Sequence, residues 1–430
     1  MNTNQTHIDD TNERAILAGV HSRVFTPDED ATWETLDELE ELLKTAGGVC
    51  TAKVLQERPS PDPRSLMGEG KLAEIKALAE ANDASLLIFD NELSPSQFKA
   101  IEEDTGLRVM DRAGLILDIF ASRARTAEGK LQVELAQYRY LLPRLEGLGN
   151  VLSRLGGGIG TRGPGESKLE SDRRHIRARI TRLERQIDDL GRVREVGRHR
   201  RASTETPVAA LVGYTNAGKS TLLNALTGSD IHTGNRLFDT LDTTLRRFPV
   251  NDTFEILISD TVGFIHKLPH TLIDAFRATL EELSYADLLL HVIDLSNPNW
   301  PRQAAVVEDL IAKLKLEGAP VLQVFNKADK VDAQLLPRGA DTVVVSARTG
   351  EGLDDLRAAV ARLLDPGHHR VRVRLPYSEA GRLDVLYRDA RVEKAEYTDD
   401  AILVTAVCDS RLYGWLRDFI IEAGFPDTLN

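Results

Sequence analysis

The chain has 430 residues, of which 42% are hydrophobic and 28% are charged, and this predicts two to four folded domains. Cys50 and Cys408 are its only cysteines, which excludes a disulfide framework and fits a reducing compartment. The polar opening MNTNQTHIDD predicts no export signal, and no apolar run is long enough to cross a bilayer. We therefore expect a cytoplasmic monomer, with membrane association of part of the population left open.

The net charge of −13 argues against a protein that simply coats nucleic acid, but the charge is unevenly distributed. Residues 162–201 contain 13 Lys/Arg against 7 Asp/Glu, a net charge of +6. Such a segment on an acidic chain indicates either one localised contact with a polyanion or a solvated Arg-rich helix face. Charge alone does not separate the two interpretations.

Residues 1–125 alternate short apolar runs with helical segments. The predicted strands are 16–20, 52–55, 86–90 and 107–110. The predicted helices are 33–43 and 72–79. Alternation of this length predicts an N-terminal α/β domain with a small, mainly parallel sheet.

Two heptad-like apolar stripes follow in residues 126–206. They consist of Leu131, Leu135, Tyr138, Leu142 and Leu145, and of Ile176, Ile180, Leu183, Ile187 and Leu190. The segment between them, LGGGIGTRGPGES (155–167), is predicted to be irregular, and GRHRRASTETP (197–207) is predicted to be a linker. The two stripes predict an antiparallel helical hairpin with a Gly-rich tip.

Residues 207–366 form another strand-helix series, with predicted strands at 208–212, 254–259, 288–294, 321–325 and 342–345. This pattern is typical of a doubly wound α/β domain. Residues 367–430 give strand, helix, strand, strand and helix, which predicts a small C-terminal α+β domain. The fold class is therefore α/β and multidomain.

A phosphate-binding loop opens the third domain. GYTNAGKST matches G-x-x-x-x-G-K-[ST] between the strand VAALV and the helix TLLNALTG. Its glycines let backbone N–H groups surround phosphate oxygens, Lys219 would bridge the β- and γ-phosphates, and Ser220 would bind Mg²⁺. The predicted nucleotide-binding residues here are Gly213, Tyr214, Thr215, Asn216, Ala217, Gly218, Lys219, Ser220 and Thr221.

The base is predicted from NKAD, which follows the strand VLQVF and comprises Asn326, Lys327, Ala328 and Asp329. The carboxylate of Asp329 can accept from both N1–H and the exocyclic amine of guanine, and adenine offers no such pair. A second segment, Ser346, Ala347 and Arg348, follows the last strand and would offer a backbone N–H to guanine O6. The expected ligands are GTP and GDP.

The segment SDTVGF contains a D-x-x-G switch formed by Asp260, Thr261, Val262 and Gly263. The next residue in many GTPases is a glutamine that orients the attacking water, but here it is Phe264. Phenylalanine cannot polarise water, so we expect slow intrinsic hydrolysis. Either the backbone and Mg²⁺ position the water or a partner completes the site, and we expect the ring of Phe264 to pack into the domain.

A second switch is expected in LFDTLDTTLRR (237–247), which must supply a hydroxyl that senses the γ-phosphate through Mg²⁺. Thr240, Thr243 and Thr244 are all candidates on spacing alone.

The phrases GYTNAGKSTL, DTVGFIHKLPHTLIDAFRATLEE and GIGTRGPGESKLE together resemble the HflX-type GTPases, in the translation-factor-related branch that includes Obg. The resemblance covers nearly the whole chain and implies a GTPase that hydrolyses GTP to GDP. It aligns the family segment F-A-T-L-D with Phe238, Asp239, Thr240, Leu241 and Asp242. This alignment favours Thr240 as the switch hydroxyl, whereas Asp239, Thr243 and Arg348 depart from the residues usual in the family.

The catalytic residues expected from this alignment are Lys219, Thr240 and Gly263. The expected Mg²⁺ ligands are Ser220 and Thr240, with Asp260 acting through a water molecule. The resemblance also implies that the protein binds the large ribosomal subunit and splits or rescues stalled ribosomes. A basic hairpin suits contact with structured RNA, and the predicted rRNA contacts are Arg154, Arg162, Lys168, Arg173, Arg174 and Arg177.

Two other functions stay open at this point. MGEGKL (67–72) is a second Gly-Lys element at a predicted helix start, and it would support an RNA-remodelling ATPase centred on the N-terminal domain. We favour a helix-capping turn for it and assign it no catalytic role. The other alternative is a GTP-dependent scaffold for another protein.

Overall fold

A computed structural model describes residues 13–155, 164–202, 206–228, 237–238, 244–250, 255–261, 263–268, 272, 281–314, 316, 318–332, 336–339, 341–364, 369–408 and 410–424. These residues form three separate sheets and a long helical hairpin. The predicted α/β, multidomain fold class is confirmed.

The N-terminal sheet is parallel throughout, with strand order β2-β1-β3-β4. Its strands are β1 (Arg14–His21), β2 (Val49–Glu57), β3 (Leu86–Phe89) and β4 (Arg108–Asp111). Its helices are α1 (Trp33–Ala46), α2 (Glu69–Asn82), α3 (Pro95–Thr105) and α4 (Arg112–Arg123). Strand β3 reads LLIF and is buried at every position, as expected for a parallel strand covered on both faces. The predicted parallel sheet is therefore confirmed.

The hairpin consists of α5 (Ala127–Leu155) and α6 (Pro164–Ala202). Leu135, Leu183 and Ile187 form its buried seam, so the predicted stripes do hold the two helices together. Interhelical ion pairs join Arg139 to Glu184 at 2.8 Å and Arg179 to Glu134 at 2.7 Å.

Two predictions around the hairpin were too restrictive. The segment 155–167 was expected to be irregular, but Leu155 ends α5 and residues 164–167 form the first turn of α6. Pro164 suits the first position of a helix, because proline has no N–H to leave unbonded there. The linker predicted at 197–207 is helical as far as Ala202, because its arginines and alanine favour a helix. Residues 156–163 lie outside the described part.

The central sheet has strand order β10-β9-β8-β5-β7-β6, and only β6 is antiparallel to its neighbour. The strands are β5 (Val208–Gly213), β6 (Thr244–Pro249), β7 (Glu255–Asp260), β8 (Leu288–Asp294), β9 (Val321–Asn326) and β10 (Thr342–Val344). The helices described around it are α7 (Lys219–Thr227), α8 (Trp300–Lys313) and α9 (Leu353–Leu364). Strand β6 was missed by the sequence analysis, which placed residues 244–247 in a loop.

The C-terminal sheet is antiparallel, with strand order β12-β13-β11-β14. It contains β11 (His369–Pro376), α10 (Gly381–Asp389), β12 (Arg391–Tyr397), β13 (Ala401–Cys408), α11 (Ser410–Leu416) and β14 (Ile420–Gly424). The last strand was not predicted, and it completes a β-α-β-β-α-β unit.

One hydrophobic cluster continues from the N-terminal domain into the central domain, with Leu36 and Phe120 on one side and Phe238 and Phe264 on the other. The two domains therefore share a packed interface. In the described part of the chain, no helix combines the length and apolar character that crossing a membrane requires.

Candidate functional site

The phosphate-binding loop joins β5 to α7, as predicted, and its last glycine sets its shape. Gly218 precedes the helix with a left-handed φ of +92°, and a Cβ there would lie 2.4 Å from Nδ2 of Asn326. Only glycine fits a backbone with this conformation and this close neighbour. The phosphate-binding loop and the end of β9 therefore pack in direct contact.

Lys219 is buried beneath this loop. Its Nζ donates to the carbonyl oxygens of Gly213 and Tyr214, each at 3.0 Å, and its side chain packs below the phosphate-binding backbone. Burial lowers the pKa of Lys219 to about 8, and Asp260 only partly opposes this effect. An anionic phosphate bound here would pair with the Lys219 ammonium, whose charge is otherwise balanced only in part by Asp260.

Ser220 and Asp260 meet at the position predicted for the metal. The Ser220 hydroxyl donates to Oδ2 of Asp260 at 2.7 Å, which brings the start of α7 to the end of β7. A hydroxyl and a carboxylate are hard oxygen donors, the type that Mg²⁺ prefers. Thr221 follows in the first turn of α7.

Asn326 connects the three segments that were predicted to surround guanine. Its Nδ2 donates to the carbonyl oxygen of Ala217 at 2.9 Å, while its Oδ1 accepts from the N–H groups of Lys327 and Ala347 at 2.8 and 3.0 Å. The loop, NKAD and the segment at 346–348 are therefore held in one arrangement.

Asp329 is oriented by two donors. Its Oδ1 accepts from the Ser346 hydroxyl, and its Oδ2 accepts from Nη2 of Arg348, both at 2.7 Å. The Ser346 hydrogen bond is the main reason that the pKa of Asp329 is lowered, with Arg348 also contributing. The carboxylate is held ionised, as an acceptor for two guanine N–H groups must be.

Asp294 is a site residue that the sequence analysis missed. It ends β8, and its Oδ2 lies 2.7 Å from Nζ of Lys327, which also donates to the carbonyl oxygen of Asn216 at 2.8 Å. Lys327 is thereby fixed across the loop. A polar residue at the carboxyl end of a parallel strand is the signal that could have identified it.

The D-x-x-G segment lies directly on the phosphate loop. The N–H of Phe264 donates to the Gly213 carbonyl at 3.1 Å, and the N–H of Thr215 donates to the Phe264 carbonyl at 2.6 Å. The Phe264 side chain is only 2% exposed and belongs to the core that joins the two domains. The expectation that this ring packs inward is confirmed, and the ring does not reach the reaction site. Thr261 donates to the Leu211 carbonyl, and Val262 is outside the described residues.

The second switch, 237–247, is described only at residues 237–238 and 244–247. Phe238 is buried, donates its N–H to Oγ1 of Thr215 at 2.8 Å, and contacts Phe120 edge-on at a ring distance of 4.7 Å. The predicted residues Asp239, Thr240, Leu241 and Asp242, together with Thr243, lie outside the described residues. Thr244 lies in β6 opposite Asp260.

The predicted RNA contacts differ in their surroundings. Arg173 is half-buried and its Nη2 donates to the Leu145 carbonyl at 2.9 Å, so it helps to join the two hairpin helices. Arg174 has 81% of its side chain exposed, and Arg177 is also exposed. The side chains of Arg154, Arg162 and Lys168 lie outside the described residues.

Comparison with known proteins gives matches along most of the chain. Residues 33–121 match the family described as "GTP-binding GTPase N-terminal", residues 123–201 match "GTP-binding GTPase Middle Region", and residues 208–327 match "50S ribosome-binding GTPase". A curated protein of Lacrimispora saccharolytica named GTPase HflX is 47% identical over 94% of this chain and 96% of its own. The Escherichia coli protein of the same name is 42% identical over 91% of this chain and 92% of its own.

A solved structure, "crystal structure of SsGBP and GDP complex", is 25% identical and covers 82% of this chain and 98% of its own, with a TM-score of 0.46.

Proposed function

From the membership of this chain in the HflX family of GTPases, which hydrolyse GTP, we propose a function on the ribosome. The protein is a cytoplasmic, Mg²⁺-dependent factor that binds the large ribosomal subunit and splits or rescues stalled ribosomes. In this proposal, the hairpin binds rRNA and the GTP-bound switches maintain the contact. Hydrolysis then releases the protein from the subunit.

The observation that carries the ribosome proposal is a set of exposed arginines on α6. Four arginines lie on the side of the helix away from the buried seam of Leu183 and Ile187: Arg174, Arg177, Arg182 and Arg185. Exposed arginines can bind phosphates without reading sequence, which suits structured RNA. The family description "50S ribosome-binding GTPase" for residues 208–327 agrees with this partner.

The nucleotide residues have defined roles in the proposal. Lys219 binds the β- and γ-phosphates, Gly263 donates its N–H to the γ-phosphate, and Asp329 selects guanine. Ser220 and Thr240 would hold Mg²⁺, with Asp260 acting through water, and the metal would neutralise phosphate charge. The phenylalanine at position 264 cannot hold the water, so the large subunit completes the site.

Ribosome binding is tested by sedimentation through ribosome profiles with GDP or a non-hydrolysable GTP analogue. Replacing Arg174 and Arg177 with glutamine should weaken association with the large subunit and leave GTP affinity unchanged, because neither arginine belongs to the nucleotide-binding segments. The matched control replaces Arg388 and Arg391, two exposed arginines of the C-terminal domain. If the Arg174/Arg177 variant co-sedimented with the large subunit as well as the control variant and the wild type do, the hairpin contact would be refuted. If the wild type itself did not co-sediment with the large subunit, a scaffold for another protein would be favoured.

Water positioning is tested by single-turnover hydrolysis with and without large subunits. We expect subunits to accelerate the wild type by roughly 10³–10⁵, the range of a partner that completes a GTPase site. Phe264→Gln should hydrolyse GTP no faster than the wild type without subunits, because the side chain at position 264 packs in the core between the two domains. If the wild type alone is as fast as the subunit-bound enzyme, the water is held from within.

A further inference from the structure

A buried ionic network lies where the N-terminal sheet meets the central domain. Its centre is Arg112, which follows β4 and has 3% of its side chain exposed. Nη1 of Arg112 lies 2.8 Å from Oδ1 of the fully buried Asp90, and Nη2 contacts the carboxylate of Glu38 on α1. One guanidinium therefore fixes two carboxylates from different elements of the N-terminal domain.

Both carboxylates extend across the domain boundary. Glu38 accepts a hydrogen bond from the hydroxyl of Tyr214, the second residue of the phosphate loop. Asp90 accepts from Nζ of Lys267 at 2.5 Å, and Lys267 lies four residues after Gly263. The Tyr214 hydroxyl also accepts from the backbone N–H of His266 at 2.7 Å. The phosphate loop and the D-x-x-G segment thus share one hydroxyl that the N-terminal domain orients.

The network is balanced in charge. Burial alone would raise the pKa of Asp90, but Arg112 and Lys267 outweigh that effect and lower it. Burial likewise opposes the charge of Arg112, but Glu38 and Asp90 raise its pKa above the ordinary value. The ionised groups hold each other in place, which gives the contact a fixed geometry rather than a loose hydrophobic one.

This contact lies close to the reacting groups. A Cβ added to Gly263 would lie 3.1 Å from Nζ of Lys219 and 2.9 Å from Cα of Thr215. Lys219 and the D-x-x-G glycine are the two groups that must meet on the γ-phosphate. Their relative placement depends on how residues 264–267 lie on the phosphate loop, and those residues are bound to the N-terminal domain.

The beginning of the second switch, residues 237–238, is held by the same domain through separate contacts. Leu237 donates its N–H to Oγ1 of Thr45 on α1 at 3.3 Å, and Phe238 packs on Phe120 of α4. The phosphate loop, the D-x-x-G segment and residues 237–238 are therefore all in contact with the N-terminal domain.

We propose that Arg112 and Glu38 are positioning residues for GTP hydrolysis. Arg112 holds Glu38 on Tyr214 and Asp90 on Lys267, and these two contacts fix Gly263 against the phosphate loop. Preorganised groups accelerate a reaction only while they keep their geometry, so loosening this network lowers the rate of the chemical step.

Tyr214→Phe tests the proposal with the least disturbance, because it removes one hydroxyl and keeps the ring. Single-turnover GTP hydrolysis should fall by about tenfold or more, as misplacement of reacting groups does, while GDP affinity changes by less than about twofold. The matched control is Tyr140→Phe, which removes the hydroxyl of a partly buried tyrosine bound to a carboxylate, Asp111, at 2.7 Å. Tyr140 belongs to the hairpin and should leave hydrolysis unchanged.

A double-mutant cycle separates positioning from general destabilisation. Glu38→Gln should lower hydrolysis, and the Glu38→Gln/Tyr214→Phe double variant should lose little more than either single variant, because Glu38 acts through Tyr214. Arg112→Lys should retain part of the rate that Arg112→Met loses, since one ammonium can still bind one carboxylate. Hydrolysis by Tyr214→Phe within twofold of wild type, a faster rate, additive losses, or a parallel loss of GDP affinity would each overturn the proposal.

Discussion

Two segments of this chain place a lysine at the beginning of a helix after a Gly-x-Gly or Gly-rich turn, and they have very different surroundings. Lys219 is 6% exposed, and its Nζ donates to two carbonyl oxygens of the phosphate loop. Lys71 has 26% of its side chain exposed, and its Nζ lies 2.6 Å from Oε2 of Glu74 on the same helix. The first lysine is directed under a loop of N–H groups, whereas the second is paired along the surface of α2.

The glycines differ in the same way. Gly218 has a left-handed φ and faces Asn326, whereas Gly68 has φ −73° and ψ 148°, a conformation open to any residue. The N–H of Gly68 donates to Oε1 of Gln56 at 3.0 Å, so it already has a partner within the N-terminal domain. The comparison teaches that a phosphate loop is identified by glycine conformation and lysine burial rather than by the letters G and K. The geometry of residues 67–72 agrees with the helix-capping turn that we favoured.

The largest effect is expected for Lys219→Ala. If this substitution left GTP hydrolysis unchanged, the contrast between Lys219 and Lys71 would be wrong. Loss of the buried ammonium removes a contact to the transferred phosphate, so single-turnover GTP hydrolysis should fall by roughly 10²–10³. ATP turnover should be measured on the same variant. ATP hydrolysis that survives Lys219→Ala and disappears in Lys71→Ala would show that residues 67–72 form a second nucleotide site.

Asp329→Asn sharpens the comparison because it tests which nucleotide base binds at the site that contains Lys219. Replacing an acceptor oxygen with an amide N–H leaves the guanine amine unpaired, so GTP affinity should fall by roughly 10²-fold or more. Xanthosine triphosphate carries a carbonyl where guanine carries that amine, and its affinity should rise. Competition of labelled GTP by GTP, ATP and xanthosine triphosphate measures all three. Unchanged GTP affinity would contradict the assignment of NKAD.

Most of the fold could be predicted from local patterns in the sequence. The alternation of apolar runs and helices indicated two α/β sheets, and the heptad stripes indicated the seam that buries Leu183. The missed strands β6 and β14 are edge strands, whose conformation depends on pairing with β7 and β11 rather than on their own residues. The helical ends at residues 164–167 and 197–202 were missed because Gly and Pro were interpreted only as breakers.

The candidate site was predictable in its motifs but not in its interdomain contacts. Lys219 and Asn326 each belong to a recognisable motif with known spacing. Glu38 and Asp90 belong to no motif, and they reach Tyr214 and Lys267 only because the domains pack together. Contacts between residues 176 positions apart carry no signal in a single sequence.

The pH dependence of GTP affinity is a third test of the contrast between the two lysines. The pKa of Lys219 is lowered to about 8 by burial, and a bound phosphate favours the protonated form. Protons are therefore taken up on binding above that pKa. GTP affinity should be nearly constant below pH 8 and fall by up to about tenfold per pH unit above it. Equilibrium binding between pH 7 and pH 9.5 measures the slope, and a flat profile would mean that the ammonium stays charged in the free protein.

The smallest effect is expected for Lys71→Ala. Its partner Glu74 lies three residues away on α2 and is half-exposed, and pairs of this kind contribute about 0.5 kcal/mol or less to stability. Alanine also favours a helix, which offsets part of the loss. The free energy of unfolding should therefore change by less than about 0.5 kcal/mol, with GTP affinity, ATP affinity and hydrolysis unaltered. Denaturant unfolding and nucleotide titration on one preparation check both statements. A loss of ATP binding with unchanged stability would contradict the capping-turn interpretation, because a lysine that only pairs with Glu74 has no route to a nucleotide.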